Sequence, residues 1–299
     1  MKCSVWPSYD RTWDETIALA IWAEQAGFDG FWYADHLMPF RPSTAPDDGD
    51  ALECWTVLTA IGALVPRVRL VSMVSPVTIH HPVLLAKRAV TASHIAGGRV
   101  VLGLGAGWQE NEHAAYGFEL PPPGPRVSRF EEAIQVVRSL LHEPRTSFDG
   151  EYYTVVDAPL QPKAVGELPL LVGTGSPRMS RITARWADEW NTWGDPDEVS
   201  RRTDQFLAAC DAVGRDPSTV RRSAQAMVFV GDATDEFVPG RSLAGSDQQL
   251  IDALNRYAAL GVDEFAIPDF TLGDSPTERA DAFAHLHANV IPHVNPHDS

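Results

Sequence analysis

The chain has 299 residues, of which 44% are hydrophobic and 21% are charged. This composition excludes a disordered chain and allows a large buried core. The net charge of -16 repels phosphate backbones and anionic membrane surfaces, so neither nucleic acid nor a membrane is an expected partner. No apolar run reaches the roughly 18 residues that a membrane-spanning helix needs.

The first residues, MKCSVWPSYDRTWDET, contain no apolar segment of signal-peptide length. The three cysteines are widely separated and have no metal-binding spacing. We therefore expect a cytoplasmic protein with reduced thiols. His293 and His297 have the spacing of two ligands on one helix face, but Pro292 and Pro296 disfavour a helix there. No metal site is predicted.

Short apolar runs with the length of buried strands alternate with helical patterns along the chain. The predicted strands are 3–6, 30–34, 68–74, 100–104, 168–172, 189–192, 224–230 and 264–267. Many of the intervening helices begin at a capping side chain placed three residues before a Glu or Gln, as at Thr12, Asp195, Ser246 and Ser275. Eight such units predict an α/β fold, a (β/α)8 TIM barrel. A doubly wound open sheet is the alternative.

Two segments interrupt the alternation of strands and helices. Residues 117–126 contain Pro-Pro-Pro-Gly-Pro and are predicted to form a loop. Residues 146–162 flank an Asp-Gly pair and are predicted to form a hairpin. We interpret both as insertions, near 109–127 and 146–165, in a single barrel domain that spans residues 1–299.

In a barrel of this kind the active site lies at the C-terminal ends of the strands. The second predicted strand ends in Asp35 and His36, and histidine is the side chain best suited to proton transfer near neutral pH. The alternative is a structural histidine. His80 and His81 precede a helix and are predicted to be a cap and a solvent-facing side chain.

Two strand ends are rich in glycine, with the sequences GLGAGW at 103–108 and GTGS at 173–176. The first is not a dinucleotide-binding fingerprint, because Trp108 occupies the position of its last glycine. These glycines either make room for a flat ring or allow close packing at the rim. The second turn precedes a helix that carries Arg178, which predicts an anion site. A capped strand-to-helix turn is the alternative.

Several motifs occur together in a fitting order. They are AGFDGFW at 26–32, ADH at 34–36, LAK at 85–87, GGR at 97–99, GLGAGW at 103–108, LPL at 168–170 with a glycine at 173, and ADEWN at 187–191. With these motifs the chain resembles the bacterial luciferase-like family. Within that family it is most similar to the branch that uses the deazaflavin coenzyme F420. The resemblance covers nearly the whole chain.

The resemblance implies a set of cofactor-binding residues for F420, with FMN as the alternative cofactor. The residues implied around the ring are Asp35, Ser72, Met73, Gly105, Ala106, Gly107 and Asn111. Those implied for the phosphate are Gly173, Gly175, Ser176 and Arg178. A non-prolyl cis peptide is expected under the ring, at Ser72–Met73. His36 is the implied acid/base, and Asp35 and Glu112 are further catalytic candidates.

The implied function is hydride transfer between the deazaflavin and a small organic substrate, either an alcohol or an activated C=C, C=N or C=O bond. Sugar-phosphate dehydrogenases of this branch carry a glutamate where Trp108 stands, so that substrate is not carried over. An FMN-dependent monooxygenase and a non-catalytic flavin-binding barrel are the alternatives. We also expect a homodimer, with Trp22 or Trp55 in its interface, and an F420 reductase or flavin reductase as a functional partner.

Overall fold

A computed structural model describes residues 1–294. The strands are β1 (Lys2–Trp6), β2 (Gly30–Tyr33), β3 (Arg69–Ser72), β4 (Ser75–Pro76), β5 (Val100–Gly105), β6 (Thr146–Asp149), β7 (Thr154–Ala158), β8 (Leu170–Gly173), β9 (Glu189–Trp193), β10 (Arg221–Gln225), β11 (Met227–Val230), β12 (Ser242–Gly245) and β13 (Glu264–Pro268).

The α-helices are α1 (Trp13–Ala26), α2 (Cys54–Leu64), α3 (Pro82–Ile95), α4 (Glu110–Tyr116), α5 (Pro123–His142), α6 (Pro177–Trp186), α7 (Pro196–Val213), α8 (Asp247–Ala259) and α9 (Pro276–Asn289). Their N-termini are capped largely as the sequence predicts. The side chains of Thr12, Asp195 and Ser275 each accept a hydrogen bond from a backbone N–H of the first helical turn. Within residues 1–294, no helix is long and apolar enough to cross a membrane.

The main sheet closes into a barrel of parallel strands. Its order is β3-β2-β1-β13-β10-β9-β8-β5-β4, and a further pairing of β3 with β5 completes the circle. Since β3 and β4 share one position, the described residues form an eight-position (β/α)8 barrel, which confirms the predicted fold class. The C-terminal ends of all these strands therefore meet at one mouth.

The barrel buries two apolar layers, because successive strand residues face opposite sides. One layer lies between the strands and the helices and contains Val5, Phe31 and Leu70. The other fills the barrel interior and contains Trp32, Val71, Met73 and Leu171, with Trp6 at its upper edge. Strands buried on both faces read as continuous apolar runs, which is why the sequence pattern locates them.

The seventh predicted strand, 224–230, is in fact two strands. β10 pairs with β9 and β13 in the barrel, whereas β11 pairs with β12 in a separate two-stranded sheet. Both halves are largely buried, so hydrophobicity alone could not reveal the break at Ala226.

The prediction of a loop over 117–126 is wrong in its second half, because α5 begins at Pro123. Proline is compatible with the first turn of a helix, where its missing N–H is not needed. The preceding residues include the short helix α4, which the sequence pattern did not predict. The hairpin prediction is confirmed, since β6 and β7 pair antiparallel.

Candidate active site

A buried carboxylate fixes the orientation of His36 at the barrel mouth. Glu112, on α4, is 1% exposed, and its Oε1 lies 3.0 Å from His36 Nδ1. Its Oε2 accepts a hydrogen bond of 2.8 Å from the backbone N–H of Leu37. Because the carboxylate accepts from Nδ1, Nε2 is the ring nitrogen left for a substrate. In the described part of the chain, no hydrogen-bond partner faces Nε2.

Aromatic rings surround this imidazole. The ring of Tyr9 lies 5.3 Å from that of His36, and the ring of Trp108 meets it edge to face at 5.4 Å. Phe40 in turn packs against Trp108 at 5.0 Å. The open nitrogen of His36 therefore lies in apolar surroundings.

Asp35 turns away from the mouth and organises a buried network beneath it. Its Oδ2 accepts hydrogen bonds of 2.5 Å from Ser75 Oγ and 3.0 Å from His80 Nε2. Arg88 Nη1 lies 3.0 Å from the other nitrogen of His80. Trp55 Nε1 donates to Ser75 at 3.0 Å. The network ties β2, α2, β4 and α3 together.

The prediction that His80 is either a cap or a solvent-facing residue is therefore wrong. His81 is the cap of α3, and its side chain accepts a hydrogen bond from the N–H of Val83. His80 is buried against Asp35, which is distant in sequence. Ser75 and Arg88 also belong to this network, although neither is among the predicted site residues. No local spacing links Arg88 to His80, since the two residues are eight apart and His80 lies before the start of α3.

The electrostatics of the network favour an ionised Asp35. Burial by itself raises the pKa of this carboxyl group, but the attraction of His80 and the hydrogen bonds from His80 and Ser75 outweigh burial. The pKa of Asp35 is therefore below its ordinary value.

A non-prolyl cis peptide occurs at the end of β3, one bond later than expected. It joins Met73 to Val74 rather than Ser72 to Met73. The backbone N–H of Met73 still donates to Tyr33 O, at 2.8 Å, so pairing with β2 continues through Met73. The chain turns away from β2 after Met73.

The glycines at the end of β5 are required by packing inside the protein. A Cβ at Gly105 would lie 2.6 Å from Val74 Cγ2, and one at Gly107 would overlap Thr78 Oγ1. Gly107 also has φ +89°, which favours glycine. Close packing at the rim thus accounts for these two residues without a ligand.

Gly173, at the end of β8, has a different environment. A Cβ there would lie 3.5 Å from Met73 Cε and 3.6 Å from Val74 Cγ1, which are ordinary contacts. Gly173 does not have a positive φ, and it is half-buried. Neither packing nor backbone geometry requires glycine at this position, so the space above it can admit a flat ligand close to the backbone.

Two other predicted ring-site residues are fully buried. Ser72 Oγ accepts from the backbone N–H of Gly103, at 2.9 Å, and so joins β3 to β5. Asn111 Nδ2 donates to Pro39 O, at 2.9 Å. Asn111 Oδ1 is a buried acceptor with no partner among the described residues, so it can accept a further hydrogen bond. Ala106 is half-buried beside this site.

The predicted phosphate turn connects β8 to α6. Ser176 caps α6 and accepts from the N–H of Met179, at 3.4 Å. Gly175 lies against the guanidinium of Arg202. Arg178 is exposed but already bonded to α5, with 2.9 Å to Ser128 Oγ and 3.4 Å to Glu131 Oε2. Arg178 therefore lies at the turn, but a phosphate would have to compete with these partners.

A cavity of about 870 Å³ lies at the opposite end of the barrel. Arg69 and Glu189 line it and form an ion pair of 2.6 Å. Arg221 also lines it and contacts the buried Glu264 at 2.7 Å. These charges sit at the N-terminal ends of the strands, where barrels carry stabilising interactions rather than catalytic groups.

No metal centre is evident in the described residues. Within residues 1–294, no three His, Cys, Asp or Glu side chains converge on one point. Of the two tail histidines considered above, His293 is in a short 3-10 helix, and His297 lies outside the described residues.

Comparison with known proteins gives the class of the chain. The family model described as luciferase-like monooxygenase matches residues 2–237. The chain therefore belongs to this family, which confirms the resemblance found in the sequence.

Two relatives that are similar in sequence are F420-dependent, as the resemblance to the F420-using branch implies. An F420-dependent hydroxymycolic acid dehydrogenase of Mycobacterium tuberculosis is 30% identical, over 73% of this chain and 60% of that protein. An F420-dependent glucose-6-phosphate dehydrogenase of Microbacterium testaceum is 32% identical, over 66% of this chain and 57% of that protein. The matches thus span less than two thirds of the length of these two relatives.

A solved structure supports the fold. The F420-dependent secondary alcohol dehydrogenase in complex with an F420-acetone adduct superposes with a TM-score of 0.82. The superposition covers 99% of this chain and 100% of that chain, at 20% identity. At this level of identity the likeness shows the shared barrel.

Proposed function

We propose that the protein is an F420-dependent oxidoreductase that transfers a hydride between the deazaflavin and a small organic substrate. The observation that carries this proposal is the pair of His36 and Glu112. It presents one unpartnered imidazole nitrogen at the mouth of a luciferase-like barrel. The F420 dependence named for two relatives supports the choice of cofactor.

The residues at the strand ends fit a flat cofactor. Gly173 leaves space beside Met73 and Val74 that a Cβ would fill. Asn111 Oδ1 is an acceptor without a partner among the described residues, and a ring N–H could donate to it. The turn at Gly175 and Ser176, with Arg178, would hold the phosphate. When bound, F420 supplies a two-electron acceptor or donor of hydride.

The role of His36 is to move the substrate proton. When an alcohol is oxidised, the hydrogen of its C–H bond would leave as hydride, for which bound F420 is the acceptor. Its O–H proton passes to His36 Nε2, and a C=O bond forms. In the reverse direction, protonated His36 returns the proton to oxygen. Glu112 stabilises the imidazolium and holds the ring in one orientation. Asp35 is assigned a positioning role, because it anchors the strand ends rather than facing the mouth.

The test is an assay of F420 reduction with a panel of alcohols, together with the reverse assay on ketones and activated alkenes. We expect turnover by the unmodified protein and a loss of roughly 10²- to 10⁴-fold for His36→Ala. The Kd for F420 should be the same for both proteins. Full activity of His36→Ala would remove the histidine from the mechanism, and no turnover by either protein despite F420 binding would favour a non-catalytic barrel.

A further inference from the structure

Two exposed aromatic side chains project at the rim of the mouth. Trp108 is 53% exposed and Phe40 is 51% exposed, and their rings contact each other. Large apolar side chains gathered beside a reactive group indicate a surface that is covered when a ligand binds. Trp108 also touches His36, so a ligand resting on these rings reaches the open imidazole nitrogen.

A second aromatic group lies at the C-terminal ends of β1, β9 and β13. Trp6, at the end of β1, contacts Trp193 at 5.7 Å and Phe270 at 5.2 Å, in both cases edge to face. Tyr9 packs against the buried interior cluster that contains Trp6, and its ring also lies 5.3 Å from that of His36, so Tyr9 connects the two groups. Trp6 Nε1 is a buried donor with no partner among the described residues. This indole N–H is an uncharged donor that can form a hydrogen bond with an oxygen atom of a ligand.

The charges around the mouth disfavour an anionic ligand. Arg11 contacts Asp269 at 3.1 Å and Asp10 at 3.2 Å, and Arg41 pairs with Asp47. Arg241 stacks over the ring of Trp193, at 5.4 Å.

Other arginines near the strand ends are also engaged. Arg178 and Arg202 lie on the β8–α6 side, which is assigned to the cofactor phosphate. The buried carboxylates Asp35 and Glu112 add negative charge beneath the substrate position. A phosphorylated substrate would meet carboxylates and rings. Of the arginines named above, Arg241 alone has no carboxylate partner among the described residues, and a single cation does not clamp a phosphate as a pair does.

We propose that the substrate is uncharged and carries its reacting oxygen on an apolar, aromatic body, which packs between the ring pair Trp108–Phe40 and the ring group Trp6–Trp193–Phe270. The proposal rests on the proposed function, because it assigns the substrate class of the same site. It places specificity in the aromatic rim, while His36 performs the proton transfer.

The test is calorimetric titration of the F420-loaded protein with acetophenone and, separately, with glucose 6-phosphate. We expect acetophenone to bind and glucose 6-phosphate not to bind in the same concentration range. Phe40→Ala and Trp108→Ala should each weaken acetophenone binding about tenfold and leave the Kd for F420 unchanged. Leu64 is an exposed apolar residue on α2, and Leu64→Ala is the matched control. This variant should bind acetophenone and F420 as tightly as the unmodified protein does.

The outcomes separate this inference from the proposed function. If F420 fails to bind, the proposed function fails before acetophenone is added. If F420 binds but acetophenone does not, or if glucose 6-phosphate binds more tightly than acetophenone, the substrate class is overturned and the cofactor assignment stands. Unchanged acetophenone binding by both rim variants also overturns the inference. Steady-state kcat/KM for 1-phenylethanol, lowered in the rim variants but not in Leu64→Ala, provides a second readout.

Discussion

Glu112 determines which nitrogen of His36 is available. Its two carboxylate oxygens receive the Leu37 N–H and the imidazole Nδ1. In Glu112→Gln a single carbonyl oxygen remains for these two donors, and the negative charge that stabilises an imidazolium is lost. We therefore expect kcat to fall roughly 100-fold. Glu110→Gln, an exposed change on the same helix, is the control. Equal activity of the two variants would leave Glu112 with a purely structural role.

Alanine substitutions at Gly173 and Gly107 distinguish a glycine needed for cofactor binding from a glycine needed for packing. Gly173→Ala should leave the free energy of unfolding nearly unchanged, because the new Cβ meets only ordinary contacts. It should weaken F420 binding about tenfold, because the methyl group occupies the space of the ring. Gly107→Ala should instead lower stability by about 2 kcal/mol, since its positive φ and Thr78 both oppose a Cβ. Denaturant unfolding and F420 titration of both variants check this contrast. Unchanged F420 affinity in Gly173→Ala would remove it from the cofactor site.

The elements at the mouth were predictable to different degrees. Helix caps and buried strands have local patterns, so Ser176 and the strand end at Asp35 could be read from the sequence. The partners of these residues could not. His80 contacts a residue on another strand, and Arg178 contacts the first turns of α5, which were predicted to start later. The cis peptide was misplaced by one bond because no local pattern shows where the β2–β3 ladder ends.

The Asp35 network holds four elements together, and its contribution should depend on pH. The pKa of Asp35 is lowered in the folded protein, so ionised Asp35 stabilises the fold above its unfolded pKa of about 3.9. That stabilisation is lost as the pH falls through the lower folded pKa. Asp35→Asn should reduce the free energy of unfolding by about 3 kcal/mol at neutral pH.

The measurement for this prediction is urea unfolding of both proteins at pH 7 and at a series of values below pH 4. The difference in unfolding free energy between Asp35→Asn and the unmodified protein should shrink towards the acid end. If this difference in unfolding free energy is the same at every pH, the stabilisation by Asp35 does not depend on its ionisation, and the prediction is wrong. Asp14→Asn, at an exposed position on α1, serves as the control and should show little difference at any pH.

At the scale of the whole molecule, the homodimer remains a prediction. Trp55, one of the side chains suggested for its interface, is buried and bonded to Ser75. Trp22, the other, packs against Phe28 at 5.4 Å but is only half-buried, so it stays a candidate. Sedimentation at micromolar concentration should give a mass near twice 32.7 kDa, and a single species of monomer mass would contradict the prediction.

Binding of a deazaflavin by this barrel can be measured by a paired fluorescence titration of the purified protein with F420 and with FMN. We expect saturable binding of F420 that is at least tenfold tighter than that of FMN, and weaker F420 binding by Gly173→Ala. Tighter binding of FMN would rule out F420 as the preferred cofactor and indicate a monooxygenase that receives reduced flavin from a reductase.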